Sequence, residues 1–150
     1  MRDIKFRGMN NIKSWVYGGY ANLVDHYDYS KQRHIVIDSD LEDHEEHDVD
    51  PETVGQFTGL HDKNGKEIYE GDVIRWGDKT SREHGNNRTV VVEFRSGCFG
   101  IVDGELFHEF WHYLPTEWGS NEMEWGELNI QDYFRACFEV IGNIHEEVTD

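Results

Sequence analysis

Residues Glu52–Asp72 read ETVGQFTGLHDKNGKEIYEGD, and the fold depends on how this stretch divides. Val54, Phe57 and Leu60 are apolar anchors leading into a turn at His61–Gly65. Ile68-Tyr69 lies on the returning strand, and Gly71-Asp72 makes a tight exit. Asn64-Gly65 is the strongest short hairpin signal in the chain, because both residues tolerate positive φ. Asp62-x-Asn64-Gly65 shares residues with a calcium loop, but Gly and Glu are not at EF-hand spacing. The hairpin accounts for the pattern better.

Working outward, short strands recur. Asp3–Arg7 alternates, with Ile4 and Phe6 on one face and Lys5 and Arg7 on the other. Gly8–Ser14 is turn-like. Trp15–Val24 reads as a second strand, bulged at Gly18-Gly19, and His34–Asp38 as a third. Asp38–Glu52 carries nine acidic residues and no Lys or Arg, which predicts a solvated loop. Beyond the central stretch, Val73–Trp76, Thr89–Phe94 and Cys98–Val102 read as strands, the last two joined at Ser96-Gly97. Gly77–Asn87 is a polar loop. Leu106, Phe107, Phe110, Trp111 and Leu114 fall at helical spacing and predict a short amphipathic helix, limited by Pro115. Ile130–Cys137 suits a further helical turn, and Phe138–His145 a closing strand. The expectation is a mainly β chain: an N-terminal β meander, an SH3-like small barrel and a short helix after the central hairpin. The 150 residues suggest one domain, with an N-terminal β part over 1–60 and a barrel part over 61–150.

Four blocks make the chain resemble a known family: MRDIKFRG at the start, TVGQFTGLHDKNGKEIYEGDVI in the centre, VVEFRSGCFG, and FEVIGNIHE near the end. With these it resembles the YopX family of phage and prophage proteins. The resemblance implies a mostly β protein with an SH3-type barrel, encoded by a phage or prophage of Gram-positive bacteria. It implies no catalytic residues. Gly8-Met9-Asn10 stands where the family more usually has small-Trp-Asp. The acidic segment and Leu106–Glu127 lie outside the shared blocks.

Composition narrows the function classes. Lys and Arg number 14 and Asp and Glu 31, for a net charge of −17. Such a chain repels phosphate backbones, so direct nucleic-acid binding is disfavoured. Basic partners, divalent cations or mimicry of nucleic acid are favoured instead. Cys98 and Cys137 form no CxxC pair. The start lacks the apolar region of a signal peptide and no run reaches membrane-spanning length. The expectation is a cytoplasmic protein of the host cell, with two reduced thiols and no cofactor.

One motif carries the pattern of catalysis. His108-Glu109-Phe110-Trp111-His112 matches H-E-x-x-H, which on a helix places two imidazoles on one face to ligate zinc, with Glu109 as general base. Glu122, Glu124 and Glu127 are candidate third ligands by position. The plainer reading is a polar helix face. His44 and His47 sit among carboxylates able to hold a divalent ion loosely. Trp15, Tyr17, Trp76, Phe94 and Phe99 could line a peptide groove or fill the core. Trp118 and Trp125, in an acidic stretch, are candidate interface anchors. The leading expectation is a non-catalytic protein-interaction module that binds a host or phage protein. A zinc hydrolase built on His108, Glu109 and His112, or a self-assembling structural protein, are the alternatives.

Overall fold

The computed structural model describes residues 3–24, 26–38, 44–77, 88–110 and 130–146. The chain is mainly β, in two antiparallel sheets, and divides into two compact units, Met1–Gly59 and Leu60–Asp150.

The first unit is built from β1 (Phe6–Asn10), β2 (Trp15–Val24), β3 (Gln32–Ile37) and most of β4 (Glu46–His61). The meander β1-β2-β3-β4 returns on itself, because β4 also pairs with β1. Met9, Ile35, Val36, Val49 and Phe57 are buried, as period-2 patterning requires when one face meets a core. The return pairing contains a bulge: Met9 opposes Asp50, whereas Arg7 opposes Gly55. Pro51 sits in this bulge, where its missing N–H costs no ladder bond. Thr53 bridges the gap; its Oγ1 accepts the Met9 N–H at 2.8 Å and donates to the Asp50 carbonyl at 2.7 Å. Gly18 has φ +156°, and a Cβ there would lie 1.9 Å from the Ile37 carbonyl oxygen.

Two expectations are corrected in this unit. The first strand runs Phe6–Asn10 and not Asp3–Arg7, so the start of the supposed turn at Gly8 is paired. The acidic stretch is not a loop throughout. From Glu46 it is strand β4, with Glu46, Asp48, Asp50 and Glu52 exposed and Val49 buried between them. Charge there is compatible with strand because the carboxylates alternate outward.

The second unit holds β5 (Glu67–Tyr69), β6 (Asp72–Trp76), β7 (Arg88–Arg95), β8 (Cys98–Asp103), β9 (Leu106–Glu109), α1 (Ile130–Cys137) and β10 (Phe138–Asn143). Strand β5 belongs to the first sheet, next to β4; the other strands form a sheet in the order β10-β6-β7-β8-β9. Among the described residues β10 and β9 are its ends, so these pairings do not close the SH3-like barrel expected for residues 61–150. Ile74, Val90, Val92 and Ile101 are fully buried on its inner face. The Phe134 ring of α1 stacks on Phe138 at 4.2 Å and meets Phe110 edge-on at 4.7 Å, geometry that adds to simple burial.

The helix expected over Leu106–Leu114 is not formed at its start. Leu106–Glu109 is β9, antiparallel to β8. The cause is Gly104, whose φ of +62° lets a two-residue turn set Leu106 opposite Asp103. The helical turn expected over Ile130–Cys137 is formed with those bounds as α1, with acidic Asp132 in its first turn and basic Arg135 in its last, as the helix dipole favours.

The central stretch also turns differently. Gly65 has φ +78° but Asn64 is not left-handed, so the turn is a type I turn followed by a left-handed glycine. Asp62, 1% exposed, holds it. Its Oδ1 accepts the N–H groups of Asn64 at 2.8 Å and Lys66 at 2.9 Å. Its Oδ2 accepts the Val140 N–H of β10 at 2.9 Å. The Lys63 N–H donates to the Phe138 carbonyl at 2.9 Å, so this turn covers the outer edge of β10. The two-residue turn with positive φ at both positions is Ser96-Gly97, at 52° and 86°. A second buried carboxylate, Asp72, accepts the Tyr69 N–H at 2.8 Å and faces the Asn143 amide at 3.5 Å. Two aspartates of the Glu52–Asp72 stretch thus fasten the closing strand.

Candidate functional site

Sequence expectation placed chemistry at His108, Glu109 and His112. His108 and Glu109 are consecutive residues of a strand, and so point to opposite faces. His108 pairs with buried Ile101, whereas Glu109 pairs with Gly100. Glu109 reaches Cys98 instead. Burial pushes the Cys98 thiol above its ordinary pKa, and the Glu109 charge and hydrogen bond push it further. The Cys98 thiol donates to the Arg95 carbonyl at 3.4 Å. A raised pKa lowers the share of thiolate, the nucleophilic form. His112, Trp118, Trp125 and the three glutamates proposed as third ligands lie outside the described residues. His47 faces Glu45 at 3.7 Å. No group of three or more metal-ligating side chains occurs among the described residues.

The aromatic residues considered for a groove divide between the units. Trp15 lies under the Arg7 guanidinium, 4.6 Å from its ring centre, and Tyr17 under Lys5 at 5.9 Å. Phe99 is buried and meets half-exposed Phe94 edge-on at 5.0 Å.

The surface that stands out is one the sequence expectation passed over: the tip of the β2–β3 hairpin. The strands pair from Gly19↔Ile37 out to Val24↔Gln32, with Leu23 opposite Arg33. The connection is shaped by Asp28, whose Oδ1 accepts the Ser30 hydroxyl at 2.5 Å and the Ser30 N–H at 3.1 Å. These bonds hold the Asp28 carboxyl below the usual carboxylate range, the hydroxyl first. Lys31 N–H closes on the Asp28 carbonyl at 2.9 Å. The loop so formed leaves Tyr27 100%, Tyr29 82% and Val24 55% exposed. Leu23, Val24, His26, Tyr27 and Arg33 line an open groove of about 460 Å³. On its rim the Arg33 guanidinium grips Asp48 of β4 with two parallel bonds, 3.0 and 3.1 Å.

What this tip presents is aromatic and aliphatic surface beside one guanidinium. Tyrosine and arginine beside exposed aliphatics is the composition of interface anchors. Such side chains gain roughly 1.5–3 kcal/mol each when a partner covers them fully, before the cost of association. The sequence signal was HYDY at 26–29, two aromatics in a turn with no core to enter.

The comparisons with known proteins agree with the resemblance. The family described as YopX protein matches residues 5–149, nearly the whole chain. The chain belongs to the YopX family. Among solved structures, this YopX chain is similar to protein EF1440 from Enterococcus faecalis, at 21% identity over 97% of this chain and 95% of that one, with a TM-score of 0.45. No curated protein matches the YopX chain significantly. No helix among its described residues is long and apolar enough to cross a membrane.

Proposed function

We propose that this YopX protein is a phage- or prophage-encoded accessory protein that works in the host cytoplasm by binding another protein, without catalysis. The observation that carries this reading is the β2–β3 tip, where Leu23, Val24 and Tyr27 are exposed around an open groove and Tyr29 is exposed on the same connection. Aromatic and aliphatic side chains exposed together on one short hairpin suit an interface. The chain's charge of −17 sets the character of the rest of the surface and keeps nucleic acid away. Self-assembly through sheet edges has less support, because the outer edge of β10 is already covered by the Asp62 turn.

The test is affinity capture of tagged protein from phage-infected or induced cells, with mass spectrometry of what co-purifies. A partner recovered in near-equal amount supports the reading. Recovery of the bait alone, across both infected and induced cells, overturns it.

A further inference from the structure

We infer that the β2–β3 groove receives a cationic segment of the partner protein: an extended stretch in which Lys or Arg side chains flank an apolar anchor. This rests on the interaction reading above and names its partner's chemistry. The groove supplies the apolar half. Leu23, Val24 and Tyr27 form walls exposed by 42%, 55% and 100%, wide enough for an aliphatic or aromatic side chain.

The rim supplies the charge. Arg33 is the groove's guanidinium, and its fork is occupied by Asp48, so it does not offer an anion an open site. Asp48 belongs to the acidic run of β4, whose Glu46, Asp48, Asp50 and Glu52 are all exposed. No Lys or Arg occurs between Arg33 and Lys63. A row of carboxylates therefore begins at the groove's edge, held there by the Ile35↔Asp48 and Ile37↔Glu46 pairing. Ammonium or guanidinium groups flanking an apolar anchor would meet this row, and the exposed tyrosine faces attract cations as well. The other occupants fit worse. A second copy brings another −17 against the same surface, and a nucleic acid brings phosphates against carboxylates.

The experiment uses the full chain and a fluorescein-labelled synthetic peptide alternating Lys with Leu. Two control peptides carry Glu in place of Lys, or Ser in place of Leu. Fluorescence anisotropy should show binding of the Lys/Leu peptide alone, weakening as salt rises. The double variant Val24→Ser with Tyr27→Ala should bind at least about tenfold more weakly. The pair Glu46→Gln with Asp50→Asn should flatten the salt dependence. All four positions are exposed, and unchanged circular dichroism melts confirm that the variants fold. Failure of the Lys/Leu peptide to bind, equal binding by the Glu peptide, or unchanged affinity in Val24→Ser/Tyr27→Ala overturns the inference. So does a wild-type dimer in sedimentation velocity that Tyr27→Ala converts to monomer, since the occupant is then a second copy. Capture from cells separates the two levels. A partner retained equally by the groove variant leaves the interaction reading standing and removes the groove from it. Capture of nothing by the wild type removes the interaction reading itself.

Discussion

Replacing Asp62 by Ala removes one carboxylate and orphans three backbone N–H groups at once. Two of them, on Asn64 and Lys66, belong to exposed residues. Water can take their place, so each loses about 1 kcal/mol, the usual net worth of a hydrogen bond. The third, Val140 N–H, is buried and is left unsatisfied at a cost of about 1–3 kcal/mol. The sum is about 3–5 kcal/mol, a large share of the roughly 5–15 kcal/mol by which a domain of this size is stable. Asp62→Asn keeps one acceptor oxygen but turns an NH2 toward an N–H, and should cost about 1–3 kcal/mol. Urea denaturation followed by far-ultraviolet circular dichroism measures both. Hydrogen exchange at the Val140 amide gives a local reading: protection should fall most there, ahead of the rest of β10. A loss below about 1 kcal/mol in Asp62→Ala, or Val140 protection equal to wild type, would refute the assignment of Asp62 as the clasp on the closing strand.

Other outcomes follow from the same geometry. Gly18→Ala places a Cβ 1.9 Å from the Ile37 carbonyl, and should cost about 3 kcal/mol or more, seen as a lowered melting temperature. Ser96 has φ +52°, so Ser96→Asn should stabilise by about 0.5 kcal/mol through a better two-residue turn, measured as a shift in urea midpoint. Glu139 accepts a bond from Lys63 at 2.6 Å, with Arg75 at 3.7 Å, and these hold its carboxyl below the ordinary glutamate range, Lys63 first. The folded-state value is the lower one, so this contribution is full above the unfolded-state pKa and disappears as pH falls through the folded-state pKa. Wild type and Glu139→Gln should therefore converge in stability in acid and differ at neutral pH; parallel curves would rule this out. Cys98 should alkylate with iodoacetamide more slowly than a free thiol at neutral pH, and Glu109→Gln should speed the reaction by lowering the thiol pKa.

The strands that alternate cleanly were legible. Trp15–Val24 has the bounds read from its residues, and the strands around Ser96-Gly97 and the closing strand lie within a few residues of theirs. The misreadings share a physical cause: local composition outweighed period. Glu46–Glu52 was dominated by its carboxylates, although they alternate with His47 and Val49. Leu106, Phe107 and Phe110 satisfy a helical spacing over too few residues to separate helix from strand, while Gly104 carried the turn signal that decides it. The central block through which the family was readable holds the two clasps of the fold, Asp62 and Asp72. The hairpin surface was not. Exposed tyrosines carry no period and no spacing rule, and only the paired backbone of β2 and β3 shows that they stand together. Trp118 and Trp125, chosen for their acidic surroundings, remain a proposal alongside it.

The clasp at Asp62 has a consequence for the order in which the protein can be made. Val140 lies 78 residues after Asp62, and a ribosome adding about 5–20 residues per second needs roughly 4–16 s to reach it. During that interval the hairpin turn can form, because Asn64 and Lys66 are close by, but one carboxylate oxygen waits in water for a strand not yet synthesised. The N-terminal ring has a shorter wait, since β1 finds its second partner when Gly55 and Gln56 emerge. All the strands of that ring are thus synthesised while the second sheet still lacks β10, so the β2–β3 hairpin has its pairing partners before the clasp has its strand.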